Sequence, residues 1–183
     1  QGRHQDCLKE YEVLLRILPN YKSRGPQIFA ANYLEEISLE QHLAIAKSYG
    51  EAIKLDKSKI YSSWNCQVNP KRLRVGIVSG DFYEHVVGRM INRLIENTDA
   101  LNIDFLAFST HERQDSISRS LKRKFSDWIP LINKPFSDSN LSDAAEKIYR
   151  KAPNVLIDLS GHTKFNALPL FNYRPAPVQV SWL

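Results

Sequence analysis

From about Lys71 onward, short apolar runs alternate with longer amphipathic stretches, and this alternation restricts the possible fold more than any other feature of the chain. The runs "LRVGIVS" (73–79), "IDFLAFS" (103–109) and "NVLIDL" (154–159) have strand length, and "DWIPLI" (127–132) and "APVQVSWL" (176–183) read as two further, weaker strands. Between them lie "VVGRMINRLIEN" (86–97), "QDSISRSLKRKF" (114–125) and "LSDAAEKIYRKA" (141–152), whose apolar residues recur at helical spacing. Short strands alternating with helices predict right-handed βαβ units on a parallel sheet, a half-Rossmann pattern. The expected fold class is therefore α/β.

Residues 1 to 58 read differently. "KEYEVLLRIL", "QIFAANYLEE" and "SLEQHLAIAKSYGEAIKL" are helical in pattern, and in the last of these Ser38 and Gln41 have capping-box spacing. "LPNYKSRGP" (18–26) is expected to break the chain between helices. The expected organisation is a small all-helical segment at 1–58, poor in catalytic residue types, followed by a Rossmann-like lobe at 59–183.

Composition narrows the function classes. The net charge of +5 is a mild excess, gathered partly in "SRSLKRKF" (118–125). So small a charge, with little aromatic interleaving around that run, argues for a solvated helix face over nucleic-acid binding. No apolar run approaches the ~18 residues of a membrane span. "QGRHQDCLKEYEVLL" has acidic residues and no apolar centre, so it is not read as a secretory signal. Cys7 and Cys66 form no metal or redox motif, and a reducing cytoplasm is the expected location.

In an open α/β sheet, ligands bind outside the carboxyl ends of the strands, where the strand order reverses. Two loops fit that rule: "SGDFYEH" (79–85) after the first strand, and "DLSGHTKFN" (158–166) after the fourth. Each supplies a Ser-Gly, an Asp and a His. In the common doubly wound order the two strands are neighbours, and the loops face one crevice. Gly80 and Gly161 permit close backbone approach to a ligand. Helix N-termini after the loops favour anions or sugar oxygens, and His85 and His162 can exchange protons near neutral pH. Asp81 and Asp158 are open to a second reading as turn caps, and Thr163 and Asn166 as N-caps of the next helix.

Several chemistries lack their signature. No GxGxxG follows the first strand and no GxxxxGK occurs, which speaks against a dinucleotide cofactor or a phosphate-cradling loop. Ser79, His85 and Asp158 are the residue types of a hydrolase triad, yet no GxSxG elbow exists. His85, His162 and an Asp are possible metal ligands with no supporting spacing, so no metal is expected.

"LRVGIVSGDFYEHVVGRM" and "NVLIDLSGHTKFNALPLFNYRPAPVQVSWL" together resemble the catalytic region of the O-linked N-acetylglucosamine transferases, in their bacterial and SPINDLY-like branch. The shared motifs are S-x-D-F-x-x-H, D-L-x-G-H-T and R-P-A-P-x-Q-x-x-W-L. "ANYLEEISLEQHLAIAKSYGE" resembles the linker between that family's tetratricopeptide repeats and its catalytic core, and "YEVLLRILPNYKSRG" the remnant of a last repeat. The resemblance implies the N-terminal lobe of a two-lobed GT-B fold. It implies transfer of a sugar, normally GlcNAc from UDP-GlcNAc, to Ser or Thr of an acceptor protein with inversion; some relatives use GDP-fucose. Neither metal nor other cofactor is implied. His85 and His162 take the catalytic positions, for positioning and proton relay, and Asp81, Asp158, Thr163 and Asn166 line the substrate side. The chain departs from the family pattern at Val86, where many members have Pro, and at Ala167, where bacterial members commonly have Arg. The family pattern continues past Leu183 into a second lobe bearing most nucleotide-binding groups, so half a cleft, inactive alone, is expected. The alternative is a non-catalytic protein-binding module derived from the same fold.

Overall fold

The structure is a computed structural model that describes residues 3–53, 55–98, 102–131 and 140–182. The chain divides into two compact units, residues 1–54 and 55–183.

The first unit is helical: α1 (His4–Ile17), α2 (Tyr21–Ala31) and α3 (Leu39–Glu51). Ser38 caps α3 as its sequence predicts, with its side chain accepting from Gln41 N–H while the Gln41 side chain accepts from Ser38 N–H. The expected break at 18–26 is much shorter than its Pro and Gly content implies. Asn20 accepts from Ser23 N–H and starts α2 at Tyr21, so Pro26 lies inside a helix. Pro26 removes one backbone donor in the middle of α2.

The second unit begins with a single 3-10 turn (Lys57–Lys59) and then alternates strand and helix. Its elements are β1 (Leu73–Ser79), α4 (Val86–Glu96), β2 (Ile103–Ser109), α5 (Ser116–Lys124), β3 (Asp127–Pro130), α6 (Leu141–Arg150), β4 (Val155–Asp158), α7 (Leu168–Phe171) and β5 (Val178–Ser181). Lys54, which falls within the last expected helix of the first segment, and Ile132 and Leu183, which closed two of the expected strands, lie outside the described residues. The strands form one sheet in the order β3-β2-β1-β4-β5, and every pairing is parallel. The order reverses between β1 and β4, where Val78 faces Asp158 in register. This is the doubly wound order expected from the sequence.

The alternation of the strands sorts the core. Val75, Ile77, Phe105 and Ala107 pack with Val87, Ile91 and Ile95 of α4 and Leu121 of α5. Ile91 is fully buried, which contributes roughly 2–3 kcal/mol. The intervening strand residues point to the other face, where Phe108 and Leu156 close so tightly around Gly76 that a Cβ there would lie 2.7 and 2.9 Å from them. Right-handed crossovers place α6 on that second face, because the chain reverses direction across the sheet after β3.

The segment before β1 is fastened along the second unit. Tyr61 stacks on Tyr149 of α6 with ring centroids 3.8 Å apart, and its backbone N–H donates to Tyr173 O at 2.9 Å. Trp64 Nε1 donates to Arg174 O at 2.8 Å, and Asn154 Nδ2 donates to Gln67 O at 2.7 Å.

Candidate functional site

The loop after β1 is folded by its own backbone. Asp81 N–H donates to Ser79 Oγ, Tyr83 N–H to Asp81 O, and His85 N–H to Tyr83 O at 2.7 Å. These bonds bring His85 to the N-cap of α4, where its Nδ1 accepts from Val87 N–H at 3.3 Å. Asp81 Oδ2 lies 3.9 Å from the same Nδ1, with the Asp81 side chain 12% and the His85 side chain 43% exposed. The turn fits over the helix because residue 88 is glycine: a Cβ there would be 2.1 Å from Tyr83 O. Burial, followed by the charge of and hydrogen bonding with Asp81, pushes the Tyr83 hydroxyl above its ordinary pKa.

The loop after β4 is organised by Asp158. Its carboxylate accepts from Gly161 N–H at 2.8 Å, Ser160 N–H at 3.3 Å and Ser181 Oγ at 3.3 Å, and the residue is completely buried. Burial raises its pKa against the lowering effect of those three donors. Gly161 turns the chain at φ 49°, a left-handed conformation that glycine adopts without penalty. Thr163 Oγ1 donates to Ser160 O at 2.6 Å and Asn166 Nδ2 to Thr163 O at 2.7 Å. Thr163 and Asn166 therefore stabilise successive turns. Neither caps the next helix, which is the four-residue α7 with Ala167 at its N-cap; their short side chains reach back along the loop instead of forward. His162 is half-buried, and burial lowers its pKa.

The loops meet. A Cβ on Gly80 would be 2.6 Å from Phe165 Cβ and 3.0 Å from Thr110 Oγ1. Thr110, just past β2, donates its hydroxyl to Phe165 O at 2.7 Å. Phe165 itself has φ 64°, a costly conformation for a bulky residue. His111 stacks on Phe165 with ring centroids 4.0 Å apart and an angle of 5°. Asp81 and His85 are thus brought together within one loop, and Asp158, Thr163 and Asn166 are joined through Ser160 within the other. Thr110, His111 and Phe165 are additions that sequence reasoning missed. The rule that ligands gather at carboxyl ends of strands applies equally to β2 and was the signal for the first two. Among the described residues, no group of three His, Cys, Asp or Glu is arranged to hold a metal ion.

A doubly wound parallel sheet with Gly- and His-bearing loops clasped at its switch point is a Rossmann-like ligand-binding lobe. A solved mutant O-GlcNAc transferase from Thermobaculum terrenum superposes on the whole of this chain with a TM-score of 0.85, at 24% identity and over 34% of its own chain. The family model for glycosyl transferase family 41 matches residues 29–183, and the chain belongs to that family. A probable UDP-N-acetylglucosamine–peptide N-acetylglucosaminyltransferase SPINDLY of Oryza sativa subsp. japonica is 26% identical over 178 residues, 96% of this chain and 19% of the relative. The UDP-N-acetylglucosamine–peptide N-acetylglucosaminyltransferase of Caenorhabditis elegans is 30% identical over 116 residues, 63% of this chain and 10% of the relative. The chain thus spans a fifth or less of the curated relatives it matches. No helix among the described residues is long and apolar enough to cross a membrane.

Proposed function

We propose that these residues form the first lobe of a protein O-glycosyltransferase that moves GlcNAc from UDP-GlcNAc to Ser or Thr of an acceptor protein in the cytoplasm, with inversion and without a metal. The observation that carries this reading is the placement of His85, capping α4 beside the switch point with part of its ring exposed. In the reaction the acceptor oxygen bonds to the anomeric carbon as the bond to the UDP oxygen breaks, and the hydroxyl proton must leave. Because Nδ1 of His85 accepts from Val87 N–H, the neutral ring carries its hydrogen on Nε2 and donates from there. His85 is therefore the orienting donor. His162, half-buried and with its pKa lowered by that burial, receives the acceptor proton. Asp81 stands beside the His85 ring, Thr163 and Asn166 shape the acceptor side, and Asp158 holds their loop from beneath. The donor diphosphate requires a second lobe, and the first lobe has no transfer activity alone.

The test is complementation. This lobe joined to a family 41 second lobe is expected to label an acceptor protein from UDP-GlcNAc, and His85→Ala to slow labelling by about 10²-fold or more. Labelling from GDP-fucose instead would reassign the donor. No labelling, or labelling indifferent to His85→Ala, would leave the non-catalytic protein-binding reading in its place.

A further inference from the structure

The three loops at the carboxyl end of the sheet share a feature that the transfer chemistry does not use. Starting beside His85, aromatic rings continue across all three loops: Tyr83 is 5.8 Å from His85, His111 is 6.1 Å from Tyr83, and Phe165 is stacked on His111. A cation sits over each end of this ridge. The Arg113 guanidinium lies 5.1 Å from the Tyr83 centroid and Lys164 Nζ lies 4.9 Å from the Phe165 centroid, both within cation–π range.

Neither cation has a carboxylate within 4.0 Å among the described residues. The acids nearby are otherwise engaged. Glu84 pairs with Arg89, Glu112 with Lys122, and Asp115 accepts from Ser118 N–H and Glu84 N–H while acting on Arg113 only at longer range. Phe165 is held in its unfavourable backbone conformation by the Thr110 bond and the His111 stack, so the ridge is fixed in place.

This arrangement selects its ligand. His111 and Phe165 each cover one face of the other, so no ring can enter between them. Arg113 and Lys164 are both exposed and stand at opposite ends of the ridge. Separated cations match carboxylates spaced along a chain better than one compact diphosphate. We infer that the Tyr83–His111–Phe165 ridge, with Arg113 and Lys164, binds an acidic stretch of the acceptor polypeptide beside the residue to be modified. The inference rests on the transferase reading for the word acceptor, but its test reads binding alone.

The probe is a fluorescent peptide with several glutamates around one serine, added to the 183-residue chain and followed by anisotropy. A matched peptide with glutamine in place of glutamate is the control. The acidic peptide is expected to bind at least tenfold more tightly, to weaken as salt rises, and to lose about tenfold when Arg113→Glu and Lys164→Glu are combined. Both side chains are exposed, and circular dichroism of the double variant checks that it stays folded. Equal binding of the two peptides, or indifference to the double reversal in a folded variant, overturns the inference. Displacement of the acidic peptide by UDP also overturns it, because the ridge then belongs to the donor. Peptide binding without sugar transfer by the complemented enzyme would keep the surface and discard the catalytic reading.

Discussion

Gly88→Ala separates a His85 loop that rests on α4 from one that merely precedes it. In an unobstructed helix interior this change is favourable by about 1 kcal/mol, because alanine orders the helix at less entropic cost. Here the new Cβ would stand 2.1 Å from Tyr83 O, 2.8 Å from Asp81 O and 3.1 Å from Tyr83 N. A carbon–oxygen contact needs about 3.3 Å, so the loop backbone must retreat by roughly 1 Å. The obstructing atoms are backbone, which no rotamer change can remove. Overpacking of this kind costs about 1–3 kcal/mol; taken at its upper end and offset by the propensity gain, it leaves a net loss of about 2 kcal/mol. For the unit Leu55–Leu183 that lowers Tm by roughly 6–10 °C. Calorimetry measures the shift, and the amide resonance of His85, whose N–H donates to Tyr83 O, reports the displaced loop. An unchanged or higher Tm would refute the packing argument, since only a loop clear of α4 lets the propensity gain prevail.

Two pH-dependent outcomes follow from the second loop. Asp158→Asn leaves part of the donor set around the buried carboxylate without an acceptor and costs about 2 kcal/mol. Burial raises the folded-state pKa of Asp158, so its contribution is complete below the unfolded value and is lost as pH rises through the raised one. The Tm gap between wild type and Asp158→Asn should narrow from acid to neutral pH, and a gap that widens contradicts the assignment. His162 runs the opposite way. Its folded pKa is depressed, so the stability it contributes is present above about 6.5 and is lost as pH falls through the folded value. His162→Gln should flatten that acid limb in a series of thermal melts.

Local pattern made much of the second unit legible. β1 and β2 occupy the expected runs because each is apolar and bounded by polar residues. The switch point was legible only on the assumption of the common doubly wound order, which the strand order β3-β2-β1-β4-β5 meets. The helix at 86–96 starts at His85 because its ring nitrogen can serve as a cap. What stayed hidden depends on residues remote in sequence. Thr110 and Phe165, which hold two loops together, are 55 residues apart, and no periodicity records such a bond. Pro26 inside α2 misled for the converse reason: a local rule was outweighed by the Asn20 cap and by tertiary burial of Ile28, Ala30 and Ala31. For Asp158 the sequence left a turn cap and a ligand-facing group both open, and its carboxylate accepts from Ser160 and Gly161 N–H of its own loop.

The fastening of Tyr61 and Trp64 across the second unit has a mechanical consequence. Tension on the chain near Leu55 meets the Asp56 N–H bond to the Tyr173 hydroxyl and the Lys59–Ser142 bond, and then the Tyr61–Tyr149 stack and the carbonyls of Tyr173 and Arg174. Those two residues lead directly into β5, whose Ser181 holds Asp158. The segment before β1 thus acts as a tether whose load path ends under the loop that carries His162.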